Sequence, residues 1–352
     1  MLAILVYHIS LCLGVLLVFL SESWISIWVS VELVTLSLVV LIGGQLTPRG
    51  VEAVAKYFVL QALASAFLLI GVSYRYFCLG TVAFFSEYNN ISYFFILFGL
   101  MVKIAVFPNP FWFVDVVNGL SLFRSVYVVV VSKFIPLYLY GCLVSGEYVG
   151  CFLVIGLTTA FMATVLGVNQ TSLRKIVALS SIAHFGWMLV GFPFLSPFLC
   201  VFVFLSYVVT LFPLFYLGGS GSVNFLIKTK NLYYNPLFVL LFILSLLSLA
   251  GFPPLLGFFY KWIIFYGLVG GEAYLSAGCL ILFSLFSLYF YLQVCYSLYS
   301  VYWPASKVSF LGGELGNFWL EAVVGGALIV FSSVVVGVAL AALGPVSSSW
   351  FL

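Results

Sequence analysis

"WISIWVSVELVTLSLVVLIGG", Trp24 to Gly44, runs through apolar and small hydroxyl residues to a pair of glycines, and Glu32 is its one charge. In α-helical form about 20 such residues reach across a hydrocarbon core about 30 Å thick. This is the length of a membrane span, and the pattern recurs along the chain. Apolar runs punctuated by polar residues, glycine or proline lie near 2–20, 24–46, 54–74, 91–110, 116–142, 148–168, 172–191, 196–217, 236–265, 273–299 and 322–344. The sequence therefore predicts an all-α fold, a polytopic membrane helical bundle of about eleven transmembrane helices.

Composition leads to the same class. Over 352 residues the chain is 65% hydrophobic, 19% aromatic and 6% charged, too little polar surface to cover a soluble fold. Spanning helices satisfy their backbone groups internally, whereas a barrel needs short alternating segments, which the sequence lacks. The net charge of +3 is small and scattered, which argues against nucleic acid as a partner. Seven cysteines without a CxxC pair read as apolar filler. No cleavable signal or Arg-rich presequence precedes the first run, so insertion is expected to use the first helix itself.

Loops assigned alternately to the two membrane faces differ in charge. Arg49, Arg174, Lys175, Lys228, Lys230 and Lys307 fall on the side of the N-terminus; Arg75, with Glu22, Glu87, Glu147 and Glu272, falls opposite. The positive-inside rule then predicts the N-terminus on the cytoplasmic or matrix side and the C-terminus opposite. The longest loop, Gly218 to Asn235, marks a connection between two halves of the bundle.

Five ionisable residues fall well inside these runs: Glu32, Lys103, Lys133, His184 and Lys261. A charge at a helix centre costs about 2.5 to 3.5 kcal/mol on insertion scales, so the default hypothesis is ion or proton movement. A lysine near a span end can instead snorkel along its stem, a reading that stays open for Lys261. His184, with Ser180 and Ser181 on one helical face, fits either a hydrogen-bonded core histidine or a water chain. Prolines flank each lysine: Pro108 and Pro110 follow Lys103, Pro136 follows Lys133, and Pro253 and Pro254 precede Lys261. Proline removes a donor and frees a carbonyl that must then face protein or water. Broken helices beside a charge, one in each half of the chain, match the inverted repeats of secondary transporters. The expected division is a first repeat over roughly 1–145, a second over roughly 146–305 and a C-terminal helix at roughly 320–345. Burial favours a neutral lysine and a nearby carboxylate favours the ammonium, so a pair such as Glu32 and Lys103 can switch charge state.

The ordered stretches "SESWISIWVSVELVTLS", "EAVAKYFVLQALAS", "KIAVFPNPFWFVDVVNGL", "KFIP", "LRKIVALSSIAHFGWM" and "GFPPLLGFFYKW" cover most of the chain. In order and spacing they resemble the subunit 2 family of mitochondrial NADH:ubiquinone oxidoreductase, respiratory complex I, an antiporter-like membrane family. The resemblance implies a shortened form of a fourteen-span fold and a charged axis used in proton translocation: Glu32, Lys103, Lys133 and Lys261, with Lys56 and His184 in supporting roles. It implies no cofactor in this chain, with FMN, iron–sulfur clusters and ubiquinone in other subunits. Implied partners are other membrane-arm and accessory subunits and lipids, in the mitochondrial inner membrane with the N-terminus on the matrix side. Two departures stand out. Pro110 and Val114 replace a histidine and a proline of the family pattern, and Arg124 is an extra charge for which Asp115 is the expected partner. An Mrp-type cation/proton antiporter subunit and a purely structural membrane subunit are the competing readings.

Overall fold

In the computed structural model, residues 2–44, 47–84, 88–144, 149–220, 236–253 and 255–302 are described. The expected C-terminal helix at 322–344, the 221–235 stretch with Lys228 and Lys230, and Glu87, Glu147, Pro254 and Lys307 lie outside them. The described residues up to Pro197, except Thr171–Leu173, form one compact unit, and those from Phe198 onward, with Thr171–Leu173, form another.

The first unit contains α1 (Leu2–Leu20), α2 (Trp24–Ile42), α3 (Pro48–Leu79), α4 (Asn90–Ile104), α5 (Phe111–Gly119) and α6 (Leu122–Val126). A π-helical turn (Tyr127–Val131) joins α6 to α7 (Ser132–Leu143), and α8 (Val149–Val168) and α9 (Leu173–Gly191) follow. The second unit holds α10 (Pro197–Ser220), α11 (Pro236–Ala250), α12 (Leu256–Gly270) and α13 (Tyr274–Tyr302). Among the described residues there is no strand; Ser23 and Ala83 form one isolated bridge. Among the described residues, seven helices are long and apolar enough to cross a membrane, and α1, α4, α11 and α12 contribute shorter apolar segments.

Each of the first ten expected spans coincides with a helix or a broken pair, but two boundaries differ. The expected 236–265 span is two helices of 15 residues each, α11 and α12. The 91–110 span ends early, and α5 stands apart as a nine-residue helix between it and the next span. A 15-residue helix is about 22 Å long, so α4, α11 and α12 each fall short of a full crossing.

Both breaks are built alike. At the end of α4, Ala105 takes the left-handed conformation (φ 67°), its N–H donates to Val102 O (3.2 Å) and the next N–H donates to Met101 O (3.1 Å). At the end of α11, Gly251 (φ 89°) donates to Ser248 O (3.1 Å) and Phe252 donates to Leu247 O (3.2 Å). These are Schellman closures, which satisfy two late carbonyls and leave the last two exposed. Phe107–Pro108 and Phe252–Pro253 follow, and proline prevents the helix from resuming at once.

Small residues allow close packing. A Cβ on Gly99 of α4 would lie 2.8 Å from Ala64 O of α3, and one on Gly257 of α12 would lie 1.5 Å from Ser248 O of α11. Such backbone approaches hold membrane helices together where no hydrophobic drive exists between them. Pro136 lies inside α7, one turn beyond the π-helical segment. A π turn inserts one residue, which rotates everything after it by roughly 100° about the axis and sets the face on which Lys133 emerges.

Candidate functional site

In the first unit the site is assembled where α4 breaks. Lys103, one residue before the end of α4, is 1% exposed and donates to the Gln61 backbone carbonyl (3.3 Å) and Gln61 Oε1 (3.5 Å) on α3. Lys133, on α7, is fully buried, and its Nζ donates to the Lys103 carbonyl at 2.7 Å. That carbonyl belongs to the C-terminal turn of α4, which the Schellman closure leaves open. The negative end of the helix dipole therefore meets the Lys133 amine. The same Nζ lies 4.7 Å from the ring centroids of Trp112 and Phe113 on α5 and 6.0 Å from that of Phe185 on α9. Aromatic faces and a helix C-terminus together support a cation in a place that holds no counterion.

Among the described residues no carboxylate lies within 4.0 Å of Lys103 or Lys133. Glu32 makes no contact ion pair with Lys103, and Lys133 meets Lys103 at its carbonyl rather than at its amine. Thr35 donates to the Glu32 carboxylate at 3.0 Å, and Glu32 is only partly buried. The first unit thus brings together Glu32, Lys103 and Lys133 as an electrostatic series without contact ion pairs. Such a series responds to a proton added at any member, because Coulomb energies reach beyond hydrogen-bond distance in a low dielectric.

In the second unit, Lys261 on α12 turns back to the end of α11, where its Nζ donates to Leu249 O (3.2 Å) and Ala250 O (3.0 Å). These are the two carbonyls left open by the second Schellman closure. Lys261 is buried, so it does not snorkel. A Cβ on Gly251 would sit 3.1 Å from Lys261 Nζ and 3.2 Å from its Cδ, so glycine serves both the left-handed turn and the passage of the lysine stem. Each break therefore carries a buried lysine on its exposed carbonyl end.

The supporting residues divide. His184 is buried on α9, next to Phe185 of the Lys133 cage. Ser180 and Ser181 donate back to Val177 O and Ala178 O of their own helix (2.9 and 2.7 Å), so their protons are engaged within α9. Lys56 is exposed and pairs with Glu52 (2.7 Å) and Asp115 (3.6 Å). This corrects the expected partner of Asp115: the Arg124 guanidinium instead packs near Gly44, 3.0 Å from where a Cβ would stand. Sequence reasoning missed Gln61 and the cage of Trp112, Phe113 and Phe185. Gln61 carried a signal, a lone amide in an apolar helix; aromatic rings in a chain so rich in them carried none.

Comparison with known proteins bears on the family and the fold. Residues 21–288 match the family model described as NADH:quinone oxidoreductase/Mrp antiporter, TM. NADH-ubiquinone oxidoreductase chain 2 of Squalus acanthias is 35% identical over 292 residues, 82% of this chain and 83% of that one. The Mus musculus protein of the same name is 31% identical over 309 residues, 86% and 88% of the two chains. Respiratory complex I from Thermus thermophilus contains a chain of the same fold (TM-score 0.76, 23% identity, 93% of this chain and 77% of that one). A chain of the Mrp complex from Dietzia also shares the fold (TM-score 0.73, 23% identity, 82% of this chain), and this chain spans 59% of its length. By the family match and these identities, the chain belongs to the NADH:quinone oxidoreductase/Mrp antiporter transmembrane family, among the relatives of NADH-ubiquinone oxidoreductase chain 2.

Proposed function

We propose that this chain is a membrane-arm subunit of a proton-translocating NADH:ubiquinone oxidoreductase, and that it moves protons along Glu32, Lys103, Lys133 and Lys261. The observation that carries the reading is the seating of Lys133 and Lys261, each buried on the open carbonyl end of a broken helix. Lys133, whose contacts are a carbonyl and aromatic rings, accommodates both amine and ammonium, whereas a contact carboxylate would hold it charged. Lys56 and His184 support the axis from its flanks. The redox chemistry, with FMN, iron–sulfur clusters and ubiquinone, belongs to other subunits, and this chain converts its signal into proton movement. Its partners are other membrane-arm and accessory subunits and lipids.

The chain resides in the mitochondrial inner membrane with its N-terminus on the matrix side, a reading supported by Arg49, Arg174 and Lys175 at one set of helix ends and Glu22 and Glu272 at the other. The two Schellman breaks, each followed by Phe-Pro, support a pair of inverted repeats over roughly 1–145 and 146–305. The test is the number of protons moved per electron in membranes carrying Lys103→Met or Lys261→Met. Normal assembly with reduced pumping is expected. Lost assembly with intact coupling in the remainder would instead make the lysines scaffold. Co-purification with a flavin and iron–sulfur arm separates the oxidoreductase from an Mrp-type antiporter, which the family model also covers.

A further inference from the structure

Three buried polar atoms on α3 and α5 make no hydrogen bond among the described residues: Tyr57 Oη, Gln61 Nε2 and Trp112 Nε1. Their side chains are each at least nine-tenths buried, at 0%, 4% and 5% exposure. Leaving such a group unpaired costs about 1–3 kcal/mol, so three at one place call for a ligand that the protein itself does not supply. They share one neighbourhood. Tyr57 and Gln61 are four residues apart on one face of α3, and the Tyr57 and Trp112 rings have centroids 6.3 Å apart. Gln61 Oε1 receives Lys103, and the Trp112 ring lies beneath the Lys133 amine. The Tyr57 hydroxyl also lies beside Ser132, whose Oγ donates to Val128 O at 2.6 Å and keeps lone pairs that can accept from Tyr57.

We propose that Tyr57, Gln61 and Trp112 form an internal water site that joins Lys103 and Lys133 to the α3 start, with Tyr57 as its proton relay. The inference rests on the proton-translocation reading above. The division of labour follows from side-chain chemistry. An indole N–H and an amide N–H donate only, so Trp112 and Gln61 Nε2 anchor water oxygens without carrying protons. A phenol both accepts and donates, so Tyr57 can pass a proton on and reset by rotating its hydroxyl. Tyr57 stands one turn, about 6 Å, nearer the start of α3 than Gln61. The end of α5 meets the start of α3, since a Cβ on Gly119 would lie 2.9 Å from Arg49 O. The site therefore runs from the broken end of α4 toward the end of the unit where α3 begins. Water with two to four polar partners is a normal structural component at such a position.

The test uses the assembled complex. A high-resolution density map is expected to show ordered water bonded to Gln61 Nε2 and Trp112 Nε1; a dry site there overturns the proposal. Tyr57→Phe keeps the ring and removes the relay, so NADH-driven proton uptake is expected to fall by about ten-fold, with the solvent isotope effect of turnover changed, as for a lost proton-transfer step. Wild-type proton uptake and isotope effect in Tyr57→Phe, with Lys103→Met impaired, would overturn the relay while leaving the translocation reading intact. Wild-type behaviour in both variants would remove the translocation reading itself. If Tyr57→Phe fails to assemble, Gln61→Met carries the same measurement: wild-type uptake overturns the proposal, and reduced uptake with the water density lost supports it.

Discussion

Replacing Lys133 by methionine separates a proton carrier from a structural pin, because the two roles predict opposite outcomes. The amine donates one hydrogen bond, to Lys103 O at 2.7 Å, and lies 4.7 Å from two aromatic centroids. A charge-assisted hydrogen bond contributes about 1.5–3 kcal/mol and a desolvated cation–π contact about 2 kcal/mol. Against this stands the cost of keeping an ammonium out of water, which remains several kcal/mol after relaxation. Methionine has nearly the same length and apolar stem, and its sulfur gains about 0.3–1.5 kcal/mol from each ring it meets. One carbonyl, Lys103 O, loses its partner at about 1–3 kcal/mol.

These contributions nearly cancel, so Lys133→Met is expected to change stability by no more than about 2 kcal/mol in either direction. Assembly on native gels and the melting transition of the purified complex test that half. Proton translocation, measured as acidification per NADH oxidised in sealed vesicles, is expected to be lost in the same preparation. A complex that fails to assemble, or one that assembles and pumps at the wild-type ratio, refutes the reasoning.

Three further outcomes follow from the same geometry. Gly257→Ala places a Cβ 1.5 Å from Ser248 O, a backbone overlap that α12 relieves only by moving off α11; overpacking of about 1–3 kcal/mol or more is expected to lower the assembled fraction on native gels, and wild-type assembly would contradict it. Gly251→Ala forces a side chain into φ 89° at about 1–2 kcal/mol and crowds the Lys261 stem, so pumping is expected to fall more than assembly does; equal losses would show that Gly251 serves folding alone. Glu32→Gln keeps an oxygen for Thr35 to donate to and removes only the charge that reaches Lys103; normal assembly with slowed proton translocation is expected, and an unchanged proton-to-electron ratio at full rate counts against the electrostatic series.

The fold was legible because membrane helices announce themselves through length and apolarity, and the chain offers few other signals. The prolines at 108 and 253 marked the breaks correctly, since a missing donor acts locally and can be read one residue at a time. The lengths of the broken pieces were less visible: the closure of α11 at Gly251 depends on a left-handed turn that an apolar run of 236–265 does not advertise. The site divides along the same line. Glu32, Lys103, Lys133 and Lys261 were readable because a charge among apolar residues is rare, and Lys56 because it carries one too. Yet charge alone did not tell them apart: Lys56 faces outward, paired with Glu52 and Asp115, while Lys133 points onto a carbonyl.

What decides that difference is the helix face, which in α7 depends on a π turn invisible to residue counting at 3.6 per turn. An ordinary helix through Tyr127–Val131 would carry Lys133 about 100° away from the face it now presents to α4 and the rings of α5. The local irregularity therefore turns Lys133 onto the open carbonyl end of α4. Pro136 helps explain why it lies there, because a proline inside α7 already costs the helix one hydrogen bond, and the π turn one turn earlier gives the backbone room to absorb the bend. At the two Schellman breaks and at the π turn, a buried lysine or its acceptor carbonyl lies within six residues in sequence or at hydrogen-bond distance in space. Irregular backbone inside a membrane survives only where its freed polar groups are used, and here the lysines use them.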